Sequence, residues 1–438
     1  MNVRELALAV LDRVMRDKSY SNIAVDTVIG RENLKGKDRS LFCVLVYGVI
    51  EKKITLDYLI DLLSNIPKGD IEPSTRNLLR MGLYQLRFLD RIPAHAALNE
   101  TVALAPRRSR GFVNAILRSY TKQKDSLTLP KKEEDLIRYL SVGYSYPEEF
   151  CQKLTQEYGE EKAEAILAAF DQVPALTLRA NTLKISRDAL LAALLEKGFE
   201  ASPTPHSPNG IRIEGGSLSE IGLDEGLFFV QDEASQIASL VLDAKKGDTV
   251  YDICACPGSK SFGAALDMEN KGSITSFDIH ENKLSLVKKS AERLGITILK
   301  TAARDGRDFD ETLFESADRI ICDVPCSGFG VVAKKPEIRY KELSSCASLP
   351  KIQYDILNNA CRYLKRGGIL VYSTCTVFSE ENEGNVNRFL SEHPDFVLTP
   401  FEIGSISTKS GMLTLLPCDH GTDGFFIAKL KRKEEFDD

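Results

Sequence analysis

Residues 319–330 read RIICDVPCSGFG, and this stretch predicts both a buried strand and the position of a functional site. The run 320–322 is apolar without alternation, which is typical of a parallel strand that is covered on both faces. Asp323 follows at the carboxyl end of that strand, the edge at which open parallel sheets bind ligands. Pro325 stiffens the next turn, and Cys326 comes directly after it. The stretch therefore predicts a carboxylate and a thiol at the ligand-binding edge of a sheet.

A second stretch, GILVYSTCT at 368–376, repeats this arrangement and ends in Cys375. Because the carboxyl ends of parallel strands share one edge, we expect Cys326 and Cys375 to converge there. A thiolate is a strong nucleophile once its pKa is lowered. A buried cysteine is more commonly a small apolar side chain, and from spacing alone both interpretations stay open.

Strand and helix patterns alternate through residues 223–433, which predicts an α/β Rossmann-like domain with a mostly parallel, doubly wound sheet. The expected parallel strands are Thr249–Cys254, Ser273–Asp278, Thr297–Lys300, Arg319–Asp323 and Gly368–Ser373. A C-terminal antiparallel hairpin is expected at Met412–Leu416 and Gly424–Leu430.

The first of these strands runs into a loop, YDICACPGSKS at 251–261, with a helix behind it. Backbone N–H groups at such a helix start suit an anion or a carboxylate. The next strand ends at Asp278, where an acid characteristically binds ribose hydroxyls. Asp305, after the third strand, is either a contact to the base of the same ligand or an ordinary loop acid. The pattern predicts a cofactor that contains a nucleoside, although the loop is neither G-x-G-x-x-G nor a P-loop.

The N-terminal part, residues 1–128, is predicted to be helical and is basic, with 21 Lys and Arg against 14 Asp and Glu in a chain of net charge −6. Its helices are expected at Arg4–Arg16, Asp38–Glu51, Leu56–Leu63, Ser74–Asp90 and Ala94–Leu104, with Ser74 as an N-cap. Arg107, Arg108 and Arg110 precede a further amphipathic helix in a run that contains no acid. This cluster indicates either phosphate contacts or a solvated basic surface.

Bulk properties exclude several classes of protein. No apolar run reaches the roughly 18 residues that a membrane span requires. The N-terminus resembles a helix and not a signal peptide, so we expect a cytoplasmic protein whose ten cysteines are reduced. No C-x-x-C pair and no closely spaced histidine pair occurs, so no metal site is predicted.

Several motifs resemble the Nol1/Nop2/Sun family of RNA (cytosine-5) methyltransferases. They are VQDEASQ at 230–236, DICACPGSK at 252–260, DVPCSGFG at 323–330, KKPEIRY at 334–340, YSTCT at 372–376 and HGTDGFF at 420–426. RANTLK at 179–184 resembles a segment that precedes the catalytic domain in these enzymes. Residues 81–105 and 111–118, MGLYQLRFLDRIPAHAALNETVALA and GFVNAILR, resemble the NusB-like RNA-binding domain. The family usually has Ala where this chain has Cys256, and Gly where it has Ser259.

The resemblance implies S-adenosylmethionine as cofactor and a role for each motif. The residues that would line the methionine end are Cys254, Ala255, Cys256, Pro257, Gly258, Ser259 and Lys260. Asp278 would bind the ribose, Asp305 the adenine side, and Asp323 would face both the cofactor and the reacting base. Cys375 would be the nucleophile, and Cys326 would assist product release. Lys260 and Arg339 join the three arginines as predicted RNA contacts.

The resemblance implies three domains: a NusB-like domain at 1–128, a linker with a small α+β module at 129–222, and a class I methyltransferase domain at 223–433. The expected partner is small-subunit ribosomal RNA, bound by a monomer without DNA or membrane. The alternatives are a dinucleotide-dependent oxidoreductase, a non-catalytic RNA-binding scaffold, and a DNA cytosine-5 methyltransferase in which Cys326 is the nucleophile.

Overall fold

A computed structural model describes residues 2–17, 21–214 and 225–434. The chain forms two compact units, the first of residues 1–171 and 332–343, and the second of residues 172–331 and 344–438. The predicted boundary at 222/223 lies outside the described residues. Within the described residues, no helix is both long enough and apolar enough to cross a membrane.

The first unit is built from helices, as the periodicity of residues 1–128 predicts. They are Val3–Asp17, Ser21–Glu32, Gly36–Glu51, Lys53–Leu63, Pro73–Phe88, Ala94–Leu104, Arg110–Gln123, Leu136–Tyr144, Glu148–Tyr158 and Glu160–Phe170. The apolar faces of the helices between residues 3 and 123 meet in one core that includes the fully buried Phe42, Leu45, Leu79 and Leu117. The helices at 136–170 belong to this unit, and not to the sheet module that follows them.

One local expectation for this unit is wrong, and one helix was not predicted. Ser74 is not an N-cap: the helix begins at Pro73 with Glu72 as N-cap, and the Ser74 hydroxyl donates to Asp12 Oδ2 at 2.6 Å instead. Proline suits the first helical position because its missing N–H would be unpaired there in any case. The helix Ser21–Glu32 was not expected, because few apolar residues on it are buried and its periodic signal is weak.

Arg339 lies in the 332–343 segment of the first unit, and its side chain is fully buried. Its guanidinium donates to Glu51 O at 3.0 Å and lies 4.4 Å from the ring centroid of Tyr146. Tyr340, the next residue, donates through its hydroxyl to Ile50 O at 2.7 Å. A guanidinium enclosed in this way has no surface to offer to a nucleic acid. We therefore do not retain Arg339 as an RNA contact.

The second unit begins with a small antiparallel sheet. Its strands are β1 (Leu176–Ala180), β2 (Glu200–Pro203), β3 (Gly210–Glu214) and β4 (Phe228–Val230), in the order β2-β3-β1-β4. The helix Arg187–Glu196 packs on this sheet. The RANTLK segment joins it to neighbouring helices: buried Arg179 pairs with Asp267 at 3.0 Å, and Asn181 Nδ2 donates to Leu294 O at 2.8 Å.

The large sheet carries the predicted α/β topology. Its strands are β5 (Thr249–Asp252), β6 (Ser273–Asp278), β7 (Leu299–Ala303), β8 (Ala317–Asp323), β9 (Leu364–Thr374), β10 (Phe396–Leu398), β13 (Met412–Leu415) and β14 (Phe425–Arg432). They lie in the order β10-β14-β9-β8-β5-β6-β7, with β13 pairing to β14. Strands β5, β6, β7, β8 and β9 run parallel to one another, whereas β14 runs antiparallel to β9. The predicted fold class, with its C-terminal antiparallel strands, is confirmed.

The remaining elements cover this sheet or connect its strands. Strands β11 (Phe401–Ile403) and β12 (Ile406–Thr408) form a separate hairpin. The helices are Glu233–Val241, Ser259–Asp267, Glu281–Leu294, Leu349–Ala360, Glu383–Glu392 and Pro417–His420. Ile321 and Ile320 pack into different cores. The continuous apolar run of β8 is therefore required because both of its faces are buried.

Candidate active site

A cavity of about 600 Å³ lies in the second unit, where the polar residues that follow the parallel strands come together. In the sheet, β5 lies between β6 and β8, so the strand order reverses beside β5. Open α/β sheets bind ligands at such a reversal, and the cavity has this position. The predicted site residues that line it are Cys254, Cys256, Pro257, Asp278, Asp305, Asp323, Cys326 and Cys375. Residues from three of the quoted motifs, together with Asp278 and Asp305, therefore share one cavity.

Two thiols lie side by side in this cavity. Cys326 Sγ lies 3.0 Å from Cys375 Sγ, and the Cys375 backbone N–H donates to Cys326 Sγ at 3.2 Å. Both cysteines are free. The hydrogen bond with Cys375, together with burial, raises the pKa of Cys326 well above that of an ordinary thiol. Cys326 is thus the thiol that keeps its proton beside its neighbour.

Asp323 is held next to the thiols by two donors. Lys260 Nζ lies 2.7 Å from one carboxylate oxygen, and the Ser373 hydroxyl donates to the other at 2.7 Å. Register explains the second contact, because Asp323 and Ser373 are paired across β8 and β9. Lys260 is buried and directed to this acid, so its ammonium is engaged inside the site. The RNA contact expected for Lys260 stays a prediction.

The loop after β5 is shaped by one glycine. Gly258 has φ +103°, and a Cβ there would approach Phe262 to 2.6 Å, so the turn into the helix Ser259–Asp267 requires glycine. Cys254, Cys256 and Pro257 line the cavity, whereas Ala255, Gly258 and Lys260 are buried and Ser259 is half-buried. Burial raises the pKa of Cys254, and burial together with Asp278 raises that of Cys256 to about 12. Neither of these two thiols is activated.

Two further predicted acids lie on the wall of this cavity. Asp278 accepts from the backbone N–H groups of Cys256 at 3.2 Å and His280 at 2.9 Å, which fixes its carboxylate between two loops. Asp305 pairs with Arg307 at 2.5 Å, and this hydrogen-bonded partner lowers the pKa of Asp305.

Sequence reasoning missed several lining residues, namely His280, Lys283, Arg304 and Arg307. The signal for all four is their position within a few residues of the strand ends that were predicted. Their types gave no signal, because exposed loops are commonly basic.

Asp252, at the end of β5, is a buried acid that the motif analysis did not single out. One oxygen accepts from the Ser261 hydroxyl at 2.6 Å, and Oδ1 has no hydrogen-bond partner among the described residues. Burial raises the pKa of Asp252 to about 7. A buried polar atom without a hydrogen-bond partner in the protein is usually satisfied by a bound ligand or a water molecule.

The predicted RNA contacts of the first unit are exposed. Arg107, Arg108 and Arg110 lie at the start of the helix Arg110–Gln123. Arg108 pairs with Glu72 at 2.9 Å, and Arg110 donates to Ala105 O at 3.2 Å. Surface pairs of this kind are weak and can exchange for phosphate.

The open sheet and the cavity at its strand ends define a Rossmann-like fold, and two paired thiols line its candidate site. Three family models match the chain: the NusB family over residues 1–122, the RsmF/B-like ferredoxin-like domain over 146–218, and 16S rRNA methyltransferase RsmB/F over 239–431. The chain belongs to the RsmB/F family of 16S rRNA methyltransferases. The oxidoreductase and non-catalytic alternatives are therefore wrong.

Curated relatives match over the full length. A probable ribosomal RNA small subunit methyltransferase B of Bacillus subtilis is 37% identical over 451 residues, which cover 99% of each chain. A ribosomal RNA small subunit methyltransferase B of Klebsiella pneumoniae is 33% identical, again over 99% of each chain.

Solved structures agree with this assignment. The crystal structure of PH0851 superposes with a TM-score of 0.81 at 26% identity, covering 99% of each chain. A methyltransferase homolog from Pyrococcus horikoshii is 30% identical with a TM-score of 0.60, covering 68% of this chain and 99% of its own.

Proposed function

We propose that the protein transfers a methyl group from S-adenosylmethionine to carbon 5 of a cytosine in 16S ribosomal RNA, through a covalent bond between Cys375 and the RNA. The observation that carries this proposal is the 3.0 Å approach of the Cys326 and Cys375 sulfurs inside a cavity that Asp323 also lines. One nucleophile would need one thiol. A second thiol at this distance suits a reaction in which a covalent bond must also be broken.

The residues present fit the cofactor. The cavity volume lies within the range of small-molecule and cofactor sites. Asp278 would accept from the ribose, Asp305 lies at the side proposed for adenine, and the 254–260 loop would hold the methionine end. NSun6 of Pyrococcus horikoshii, a neighbour at 26% identity with a TM-score of 0.59, was solved with the S-adenosylmethionine analogue SFG. When bound, S-adenosylmethionine supplies an electrophilic methyl group.

The side chains divide the chemistry between them. The Cys375 thiolate adds to carbon 6 of the cytosine, which makes carbon 5 nucleophilic. Asp323, fixed by Lys260 and Ser373, would hydrogen-bond the base near nitrogen 3 and stabilise the developing charge. Methylation leaves a proton on carbon 5 and the sulfur bond on carbon 6. Both must be removed before the base becomes aromatic again.

Cys326 would assist that last step. The hydrogen bond with Cys375 and burial raise the pKa of Cys326, so Cys326 remains a thiol during the attack. Once the Cys375 sulfur is bonded to carbon, that hydrogen bond is lost, and Cys326 can release its proton to solvent. The Cys326 thiolate then accepts the carbon-5 proton, the carbon 5–carbon 6 double bond re-forms, and the bond to Cys375 breaks to return its thiolate.

RNA would be engaged by the first unit, residues 1–128 of which carry the basic excess. Arg107, Arg108 and Arg110 would contact phosphates, and the target base would leave its stack to enter the cavity. The NusB family match over residues 1–122 supports an RNA-binding role for this region.

The experiment is methylation of 16S ribosomal RNA by the purified protein with S-adenosylmethionine, mapped by bisulfite sequencing. The wild type should protect one or a few cytosines, and Cys375→Ala should protect none. Cys43→Ala is the matched control, since Cys43 is a partly buried cysteine of the first unit. Protection by Cys375→Ala at the wild-type level would overturn the proposed mechanism, and no protection by the wild type would overturn the proposed substrate.

A further inference from the structure

Two adjacent residues, Glu381 and Asn382, follow the YSTCT motif and are almost completely buried, with 2% and 0% of their surface exposed. They lie just before the helix Glu383–Glu392. Among the described residues Glu381 forms no ion pair. Burial of a carboxylate costs free energy unless hydrogen bonds or paired charges compensate for the lost hydration. The contacts of both residues lead to the two reactive cysteines.

Glu381 holds the backbone around Cys326. Its Oε2 accepts from the Ser327 N–H at 2.9 Å and from Gln353 Nε2 at 2.7 Å. The same amide nitrogen of Gln353 donates to Pro325 O at 2.9 Å. The residues on both sides of Cys326 are therefore fixed, one directly and the other through Gln353.

Asn382 holds the backbone around Cys375 in the same way. Its Oδ1 accepts from the Thr374 hydroxyl at 2.5 Å, and its Nδ2 donates to Thr376 O at 3.1 Å. These are again the residues on both sides of the cysteine. A hydrogen bond of 2.8 Å between the Ser327 and Thr376 hydroxyls joins the two loops.

We propose that Glu381 and Asn382 are a pair of positioning residues, each of which holds one reactive cysteine at its working distance from the other. The inference rests on the proposed function, because it assigns Glu381 to the release step of Cys326 and Asn382 to the attack step of Cys375. Adjacent positions in the chain fix the relative placement of the two loops. Misplacement of a reacting group by about 1 Å can cost about 100-fold in rate.

The charge of Glu381 has a second effect. The hydrogen bond with Cys375 and burial raise the pKa of Cys326, and the nearby Glu381 carboxylate raises it further.

The test separates the two steps by rapid quench. Protein in excess over 16S ribosomal RNA gives the rate of the first methyl transfer, and denaturing gels give the amount and lifetime of the covalent adduct. Glu381→Ala should keep first-turnover methylation within a few-fold of wild type and slow adduct release at least 10-fold. Asn382→Ala should slow the first methyl transfer by about 100-fold and accumulate no adduct.

Conservative variants and a control keep folding defects from imitating this split. Glu381→Gln retains an oxygen that can accept both hydrogen bonds and should restore release. Thr374→Val removes the hydroxyl that donates to Asn382 and should reproduce the slow methyl transfer of Asn382→Ala. Thr374→Ser keeps a hydroxyl and should not. Glu380→Ala, an exposed neighbour, should behave as wild type in both steps. All variants should bind S-adenosylmethionine with wild-type affinity by calorimetry.

Three outcomes decide the question. A split between the two steps supports the inference. The inference is overturned if Glu381→Ala and Asn382→Ala slow both steps equally, or slow neither. This conclusion requires that Cys326→Ala and Cys375→Ala still behave as proposed. If those two cysteine variants fail to differ, the proposed function is wrong and the inference falls with it.

Discussion

Cys326 and Cys375 are 49 residues apart in the chain, yet their sulfur atoms lie 3.0 Å from each other. Strands β8 and β9 produce this approach, since they pair in parallel register and end together, Asp323 opposite Ser373. Each strand then turns into a loop that carries one thiol. The proximity of two thiols at one cavity is the physical basis of the predictions below.

Asp278→Ala should weaken S-adenosylmethionine binding by about 10- to 150-fold, because hydrogen bonds to a charged acceptor contribute roughly 1.5–3 kcal/mol. Titration calorimetry measures this directly. Asp188→Ala, whose side chain is 79% exposed, is the matched control and should bind as wild type. Wild-type affinity in a folded Asp278→Ala protein would remove Asp278 from the cofactor site.

Reversal of Arg107, Arg108 and Arg110 to Glu should weaken RNA binding and reduce its dependence on salt, because fewer counterions are released. The affinity for 16S ribosomal RNA would be measured at several salt concentrations. Reversal of the exposed Lys245, Lys246 and Lys271 produces the same change in net charge and should leave the salt slope close to wild type. If both triple variants lose affinity equally, the effect is one of net charge and the arginine cluster is not a binding site.

Arg339→Ala should destabilise the first unit by about 3–5 kcal/mol, because it leaves the groups around a buried guanidinium without their partner. Urea unfolding followed by circular dichroism would detect an earlier transition. Without urea and at low temperature the variant is folded. Under these conditions its RNA affinity should depend on salt concentration as the affinity of the wild type does. A reduced slope with unchanged stability would instead restore Arg339 as an RNA contact.

Asp252 should make stability fall as pH rises from about 4 to about 7. The pKa of the carboxyl is near its ordinary value of 3.8 in the unfolded chain and about 7 in the folded protein, so over this range the folded state holds a proton that the unfolded state has lost. A shift of this size corresponds to roughly 4 kcal/mol at most. Asp252→Asn should remove this part of the slope of the urea midpoint against pH, while Asp188→Asn should retain it. Identical slopes for Asp252→Asn and wild type would contradict the raised pKa.

The sequence predicts the sheet well because its strands are buried on both faces and punctuated by loops. The apolar run at Ile320 and Ile321 and the acid at Asp278 each mark a strand whose end lies within two residues of the expected position. The convergence of Cys326 with Cys375 follows from the parallel order of β8 and β9.

The remaining features depend on contacts between distant residues. Glu381 lies 54 positions from Ser327, and nothing local indicates that its carboxylate is buried. The resemblance implied that Arg339 contacts RNA, but its guanidinium is enclosed by residues near positions 51 and 146. Ser74 was expected to be an N-cap from its type, whereas Pro73 begins the helix one residue earlier.

The most direct test of the two-cysteine account is a denaturing gel of labelled 16S ribosomal RNA incubated with Cys326→Ala or Cys375→Ala and S-adenosylmethionine. Cys326→Ala should still attack and methylate the base but should fail to release it, leaving a protein–RNA adduct that contains the transferred methyl group. Cys375→Ala should form no adduct and transfer no methyl group. An adduct from Cys375→Ala and none from Cys326→Ala would show that the roles of the two thiols are reversed, as a DNA-type mechanism would require.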